Sequence, residues 1–320
     1  MHRFLVGLSL GALAFCLLSC SKEKIQLLWE EQVSNTTYRI TDVFFWSDQE
    51  GVAVGGDSYY YGLELRTFNG GQDWVADSMT GKVVNDLSVR LDSSVLATGI
   101  DGYLYRREQG DDGWDFFRLR TYKELRGSAF FEDNTGVLVG GSSFREGVIV
   151  QLLQYNSNDT TLEVDHELND VAIPDPAGST AFAVGFGALL KTTDRGLSWT
   201  PIETEGDHFR SICFPSPSVG YVVGYSGTIL KTTDGGQSWD ALRRGGAALV
   251  SDYPFRRVQF VTEELGFITG DGGTLWMTED GAAHWQLVDN LPDYDFYGLY
   301  VTKKEGWLVG EAGKIIHFIY

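Results

Sequence analysis

The chain has 320 residues, of which 44 are acidic and 25 are Lys or Arg, so its formal net charge at pH 7 is −19. This negative charge argues against nucleic acid and against an anionic membrane surface as partners, although it allows cationic partners or divalent ions. The 39 glycines, the 13% of aromatic residues and the scarcity of helix signals indicate one all-β domain.

Residues 1–20 are predicted to be a targeting segment. Arg3 gives a basic start, residues 4–18 are apolar but too few to span a membrane, and Leu17-Leu18-Ser19-Cys20 resembles a bacterial lipobox. We therefore expect residues 1–19 to be a signal peptide, Cys20 to carry lipid, and the chain up to Lys24 to be a short tether. An ordinary signal peptide with a chance cysteine is the alternative. The prediction places the domain at the cell envelope, in the periplasm or on the outer membrane.

The mature chain would keep one internal cysteine. Loss of residues 1–19 removes Arg3 and no acidic residue, which changes the net charge from −19 to −20. Cys16 would leave with the signal and Cys20 would carry lipid, so only Cys213 remains and no internal disulfide is expected. Cys213 lies between Ile212 and Phe214 and is predicted to be a buried small hydrophobe.

A short apolar run that ends in a glycine recurs seven times. The glycines are Gly55, Gly99, Gly140, Gly185, Gly224, Gly270 and Gly310, so the repeats are 39 to 46 residues long. Another apolar run lies upstream of each glycine. Four short strands at this period are typical of a β-propeller blade, and seven repeats predict a seven-bladed β-propeller.

The last repeat is incomplete, because only residues 314–320 remain after Gly310 to form strands. The apolar run at residues 25–29 precedes the first repeat. We predict that this N-terminal strand completes the last blade and closes the ring, which removes a free sheet edge. Residues 25–320 would then form one propeller.

Two repeats carry a turn motif between their third and fourth strands. The motif is Thr-x-Asp-x-Gly-x-Ser-Trp, with Asp194, Gly196 and Trp199 in one copy and Asp234, Gly236 and Trp239 in the other. Its aspartate can accept hydrogen bonds from its own turn, its glycine can adopt a positive φ, and its tryptophan opens the next strand. Weaker copies contain Asp280 with Trp285 and Asn69 with Trp74. Since a catalytic group need not recur once per blade, we expect these residues to be structural.

These motifs resemble the Asp-box (BNR) repeats of sialidase-type propellers, and the whole blade pattern is similar to the photosystem II stability/assembly factor-like family. The resemblance covers roughly residues 38–320. It implies a lipid-anchored or lumenal seven-bladed propeller that binds protein partners through an arginine patch. The Phe/Tyr-Arg-Ile-Pro motif of sialidases is absent, with Tyr38-Arg39-Ile40-Thr41 as its nearest approach, and sialidases have six blades.

The second residue of each innermost strand is polar or amphipathic, and these residues are expected to form a ring at one mouth of the central channel. They are Thr41, Asn85, Arg126, Asn169, Arg210, Arg256 and Tyr297. Three arginines in one ring repel one another unless anions or carboxylates lie between them. By position, the arginines match the partner-binding patch that the family resemblance implies.

A purely structural interpretation of this ring is equally open. The arginines would then be solvated and paired with local acids such as Asp170, Asp271 and Glu311. The positions next inward from the ring are expected to be mostly apolar.

Long turns on the same face are predicted to form a rim around this mouth. The first repeat inserts residues 57–62 with Tyr59, Tyr60 and Tyr61, and the third inserts residues 142–147 with Arg145. The connection 240–254, which contains Tyr253, is also long. Long loops on a rigid scaffold often bind ligands, and Tyr and Arg are frequent interface anchors. Alternatively, these loops only cover the mouth.

The sequence therefore favours a lipid-anchored extracytoplasmic propeller, expected to be monomeric, that binds a protein partner through the ring face. No catalytic residue, cofactor or metal site is predicted, because the five histidines are scattered and no phosphate-binding loop or Cys/His cluster is present. The alternative is a glycan-binding or glycan-hydrolysing Asp-box propeller, which would need two facing carboxylates in a cleft if it hydrolysed glycans.

Overall fold

The computed structural model describes residues 24–153, 160–246 and 254–320. The predicted signal peptide, Cys20, the tether before Lys24 and Tyr253 lie outside the described residues. Two short 3-10 helices occur in the described part, Ile100–Gly102 and Glu311–Gly313. No helix within these ranges is long and apolar enough to cross a membrane.

Seven antiparallel sheets form the seven blades of a β-propeller, as the repeat predicted. In blades 1 to 6 the strands follow one another outwards from the channel. Blade 1 contains Arg39–Phe45, Gly51–Asp57, Tyr61–Thr67 and Val75–Thr80; blade 2 contains Val84–Val89, Val95–Gly99, Tyr103–Arg107 and Asp115–Arg118; blade 3 contains Leu125–Phe130, Gly136–Ser143, Glu146–Leu152 and Thr160–Val164.

The other blades follow the same order. Blade 4 contains Leu168–Ala172, Ala181–Gly185, Ala188–Thr192 and Thr200–Pro201; blade 5 contains Phe209–Cys213, Gly220–Gly224, Ile229–Thr232 and Asp240–Arg243; blade 6 contains Phe255–Phe260, Gly266–Gly270, Leu275–Thr278 and Gln286–Val288; blade 7 contains Phe296–Val301, Glu305–Gly310 and Ile315–Ile319.

The N-terminal chain closes the ring, which confirms the predicted closure. Its strand Leu28–Gln32 pairs antiparallel with Ile315–Ile319 and is the fourth strand of blade 7. The expected bounds of 25–29 were wrong, because Lys24–Ile25 instead pairs in parallel with Gln286–Val288 of blade 6. The side chain of Asn290 holds the link between the two strands: it accepts a hydrogen bond from Leu27 N at 3.2 Å and donates one to Leu27 O at 2.9 Å. The N-terminal segment therefore pairs with strands of two blades, blade 6 and blade 7.

The hydrophobic core lies between the blades. Each of the seven clusters of buried side chains takes its members from two consecutive blades, including blades 7 and 1 across the closure. At the closure Phe45 stacks on Trp307 with ring centroids 4.1 Å apart, and between blades 5 and 6 Tyr221 stacks on Phe260 at 3.8 Å. Burial of large aromatic surfaces at every blade interface makes the ring a rigid scaffold.

The Asp-box turns cap themselves. Asp194 Oδ1 accepts hydrogen bonds from Thr192 Oγ1 at 2.7 Å and from Ser198 N at 2.9 Å, and Gly196 has a φ of +90°. Hydrogen bonds from Ser198 and Thr192 lower the pKa of Asp194 to about 2. Asp234 makes the same bonds in blade 5, where Gly236 has a φ of +73°.

The two weaker copies form the same turn. Asn69 accepts from Asp73 N at 2.9 Å, and Asp280 accepts from His284 N at 2.9 Å. Trp74 is buried and donates from Nε1 to Gln32 of the closing strand at 3.0 Å, whereas Trp199, Trp239 and Trp285 are half-buried. All these turns join third to fourth strands, so the antiparallel order places them at the opposite end of the blades from the start of the innermost strands.

Candidate functional site at the channel mouth

A β-bulge in every innermost strand positions the predicted ring. In blade 1 Ile40 pairs with Gly55 and Asp42 with Val54, so Thr41 is the extra residue. The same register shift occurs at Asn85, Arg126, Asn169, Arg210, Arg256 and Tyr297. A bulge re-aims its side chain away from the regular alternation of the strand. All seven predicted residues line one cavity of about 380 Å³, here called the mouth.

Four further charged residues line the mouth and were missed from the sequence. They are Arg39, Glu124, Glu167 and Arg257. Glu124, Glu167 and Arg39 each stand two residues before a ring residue, so the same alignment of repeats, extended by two positions, would have found them.

The three neutral polar residues of the ring tie consecutive blades together. Thr41 Oγ1 donates to Val84 O at 2.7 Å, Asn85 Nδ2 to Leu125 O at 2.9 Å, and Asn169 Nδ2 to Phe209 O at 2.8 Å. Each bond joins one innermost strand to the next. These side chains therefore have a structural role, and their donors are already engaged.

Two of the three ring arginines are neutralised. Arg126 pairs with Glu124 at 2.9 Å and with Glu167. Burial alone would lower the pKa of Arg126, but the two glutamates outweigh it and raise that pKa. Arg256 binds Asp271 through two nitrogens, with the Nη2–Oδ2 pair at 3.0 Å, and its guanidinium lies 4.8 Å from the ring centre of Tyr297.

Arg210, the third ring arginine, differs from Arg126 and Arg256 in its ion pairing. None of the described carboxylates lies within 4.0 Å of its guanidinium nitrogens. Its polar contact is His208 Nε2, 3.4 Å from Arg210 Nη1. Burial and the positive charge of Arg210 lower the pKa of His208 to about 4, so the imidazole is neutral at pH 7 and its 3.8 Å approach to Glu167 is not an ion pair.

The charge of Arg210 is therefore uncompensated in the sense that no described carboxylate forms an ion pair with it; Glu167 and Asp271 act on it only from beyond 4.0 Å. Burial, followed by the positive charges of Arg256 and Arg126, lowers the pKa of Arg210 to about 10. It stays protonated at neutral pH. An anion in the mouth would offset both the cost of desolvation and the repulsion by its attraction to the guanidinium.

The expectation of mostly apolar positions next inward was wrong. The residues that directly follow the ring include Asp42, Asp86, Asp170 and Arg257, here called the channel ring. Arg257 Nη2 lies 2.9 Å from Asp42 and 2.7 Å from Asp86, and its Nη1 lies 3.6 Å from Asp170. Arg257 borders both the mouth and a second cavity of about 300 Å³ that the three aspartates also line.

The predicted pairing of the arginine ring with local acids holds only in part. Asp271 pairs with Arg256 as expected, whereas Asp170 pairs with Arg257 and Glu311 accepts from Asp295 N at 3.1 Å. Burial raises the pKa of Asp42 to about 7, against the lowering effect of Arg257 and with the help of Asp86. Burial likewise raises the pKa of Asp170 to about 6.

The predicted rim residues lie around the mouth rather than in it. Tyr59 and Tyr60 are 65% and 82% exposed at the tip of the blade 1 hairpin, and Tyr61 stacks on Tyr38 with ring centroids 4.5 Å apart. Arg145, at the tip of the blade 3 hairpin, is exposed and lines a separate cavity of about 490 Å³. Among the described residues, no group of three or more His, Cys, Asp or Glu could hold a metal ion.

Comparison with known proteins supports the resemblance. Residues 201–293 match the sequence profile described as Photosynthesis system II assembly factor YCF48. No curated protein sequence matches the chain. Similar solved structures include YCF48 from Cyanidioschyzon merolae, with a TM-score of 0.70 and 15% identity over 91% of this chain and 98% of that chain. YCF48 bound to D1 peptide has a TM-score of 0.71 and 17% identity over 93% and 97% of the two chains.

The fold is shared more widely than this family. The WD40 propeller domain of Doa1 matches with a TM-score of 0.68 and 10% identity over 92% of this chain and 96% of that chain. The structural likeness therefore establishes the propeller fold, and function has to be argued from the site. The chain is a BNR-type propeller that resembles the photosystem II assembly factor.

Proposed function

We propose that the protein is a lipid-anchored, extracytoplasmic propeller that binds a carboxylate-bearing segment of a partner protein at the mouth. The observation that carries this proposal is the uncompensated guanidinium of Arg210 in a concave cavity of about 380 Å³. Arginine binds carboxylates through two parallel hydrogen bonds, which gives geometric specificity as well as affinity.

The charge distribution supports an anionic ligand at this place. The protein as a whole carries a charge of −19, so most of its surface repels anions. At the mouth the balance is reversed, because five arginines line it with only Glu124 and Glu167 as acidic lining residues; the arginines are Arg39, Arg126, Arg210, Arg256 and Arg257. A carboxylate would thus be favoured in the mouth over other parts of the surface.

A relative with the same fold takes a peptide ligand. One similar structure is YCF48 bound to D1 peptide. This supports a peptide as the form in which the partner presents its carboxylate. The rigid ring of blades suits such a role, since a preformed cavity loses little entropy on binding.

The proposed anchor rests on Leu17-Leu18-Ser19-Cys20. In cells, the wild-type protein should sediment with membranes and carry lipid on Cys20, as mass spectrometry of the mature N-terminus would show. Cys20→Ser should be recovered without lipid in the soluble fraction. A wild-type chain that keeps residues 1–19, or that lacks lipid, would contradict the anchor.

Affinity capture from native membranes tests the binding proposal. Residues 21–320 are immobilised as wild type, as Arg210→Met and as Arg118→Met, a control that removes an equal charge from the outer strand of blade 2. A partner protein retained by the wild type and the control, but lost from Arg210→Met, is the expected result. Equal capture by all three proteins would refute the proposal. Capture of polysaccharide alone would favour the glycan-active alternative.

A further inference from the structure

Two half-exposed phenyl rings lie beside each other next to the mouth. Phe144 is 56% exposed and Phe186 is 40% exposed, and their ring centroids are 4.6 Å apart. The ring of His208 packs edge-on against both, at 6.0 Å and 5.4 Å. These three side chains are called the aromatic ledge. Exposed apolar rings in contact with one another form an apolar patch, and such patches next to a polar cavity are candidates for interaction sites.

The backbone fixes the ledge to the wall of the mouth. Glu167 N donates to Phe144 O at 3.2 Å, and Phe186 N donates to Glu167 O at 2.9 Å. Phe186 also forms a β-bridge with His208. Glu167 lines the mouth, and His208, one of the three side chains of the ledge, contacts Arg210 at 3.4 Å, so the ledge directly adjoins the uncompensated guanidinium.

The space above the ledge is suited to an apolar group. Phe144 and Phe186 line the cavity of about 490 Å³ together with His166 and one residue of each charge, Arg145 and Asp165. His208 is neutral at pH 7 because burial and Arg210 lower its pKa to about 4, so the ledge itself carries no charge. A charged side chain would gain no ion pair from the ledge, whereas an apolar one would bury surface against two rings.

We propose that the ledge binds an aromatic or large aliphatic side chain of a peptide whose neighbouring carboxylate binds Arg210. This inference rests on the proposed function and adds the class of peptide that the mouth selects. Neighbouring positions suffice because the two subsites adjoin and consecutive residues are about 3.3 Å apart. Since successive side chains of an extended peptide point to opposite faces, the peptide bends between Phe and an acidic residue, whereas a terminal carboxylate belongs to the Phe residue itself. The carboxylate can come from an acidic side chain or from a chain terminus.

Calorimetric titration with synthetic N-acetylated peptides tests this selectivity. Two probes carry the proposed pair: Gly-Ser-Gly-Ser-Phe with a free carboxyl terminus, and Gly-Ser-Gly-Phe-Glu-Gly with an amidated terminus. Matched probes replace Phe by Ser, or the carboxylate by an amide. The wild-type protein should bind the Phe probe about tenfold more tightly than its Ser counterpart, as burial of one aromatic ring predicts. The probe that binds more tightly identifies the source of the carboxylate.

Single substitutions test whether the preference for Phe over Ser arises at the ledge. Phe144→Ser and Phe186→Ser should reduce the preference for Phe to about threefold or less while keeping the preference for a carboxylate over an amide. Phe116→Ser, which changes an aromatic residue that is 70% exposed on blade 2, should behave as the wild type. Circular dichroism and the melting temperature would show that each variant is folded, as expected for exposed positions.

Each outcome separates the two proposals. If the wild type prefers a carboxylate but does not distinguish Phe from Ser, the ledge proposal is overturned and the proposed function stands. If Phe116→Ser removes the preference as strongly as Phe186→Ser, the ledge is also the wrong place. If no probe binds better with its carboxylate than with an amide, both proposals fail.

Discussion

The mouth and the channel ring are built from adjacent residues of the same innermost strands, yet they balance charge in opposite ways. In the channel ring three aspartates surround one arginine, Arg257. In the mouth arginines are in excess, and Arg210 has no carboxylate partner among the described residues. Both regions therefore carry a surplus charge that is partly removed from water, negative in one and positive in the other.

The fold stabilises the surplus negative charge of the channel ring but not the surplus positive charge of the mouth. Asp42 accepts a hydrogen bond from Leu87 N, and Asp170 accepts one from Ile212 N, both at 3.0 Å and both across a blade interface. The channel carboxylates thus join blades, which is a structural function. Within the part of the chain that the structure describes, Arg210 forms no such hydrogen bond between blades. The comparison indicates that the channel ring serves stability, and it supports the proposal that the mouth serves binding.

Removal of Arg257 should have the largest effect on stability. Arg257→Met leaves three buried carboxylates without a cation, and the free energy of unfolding at pH 7.5 should fall by about 3–5 kcal/mol. Chemical denaturation measures this change. The control is Arg256→Met, the adjacent residue, whose guanidinium lies at the mouth and binds Asp271 there. Equal losses in the two variants would show that the channel ring is not distinct from the mouth.

Stability should depend on pH through Asp42. Its folded pKa of about 7 lies above the usual value near 3.8, so the folded state binds more protons between these values and stability falls as the pH rises. From pH 5 to pH 8 the wild type should lose about 2 kcal/mol more than Asp42→Asn. The difference between the two proteins is needed because Asp170, with a pKa of about 6, titrates in the same sense as Asp42, whereas His208, with a pKa of about 4, titrates in the opposite sense. Parallel stability curves would contradict this account.

A change in an Asp-box turn should have the smallest effect and leave binding untouched. Asp234→Ala removes the acceptor of the hydrogen bonds from Thr232 and Ser238, so the melting temperature should fall, but less than in Arg257→Met. Asp234→Asn should cost less than Asp234→Ala, since blade 1 forms the same turn with Asn69. Weaker capture of the partner by either variant would place a binding role on the opposite face.

The repeat made much of this structure predictable. The spacing of the strand-ending glycines gave seven blades and, by alignment, the seven residues at the mouth. The ion pairs were not predictable in this way, because Arg257 meets Asp42 across 215 residues of sequence and Arg126 meets Glu167 across 41. The pair of Arg257 and Asp42 joins blades 6 and 1 across the channel, so it depends on the closed ring and not on the alignment of the repeats.

Local irregularities of the fold were also not predicted from the sequence. The side chain of Asn290 fixes the link at Leu27, which moves the start of the closing strand to Leu28. The aromatic ledge was missed because Phe186 lies in a repeat with an ordinary turn. Only the packing of blade 4 against blade 3 brings it to Phe144.

The central claim is that Arg210 is kept for binding at the expense of stability. The most direct measurement compares Arg210→Met with the wild type in both its affinity for the captured partner and its free energy of unfolding. The affinity should fall at least about tenfold, while the free energy of unfolding stays the same or rises by about 1 kcal/mol, because a desolvated and repelled charge is removed. Unchanged affinity, or a loss of stability comparable to that of Arg257→Met, would contradict the claim.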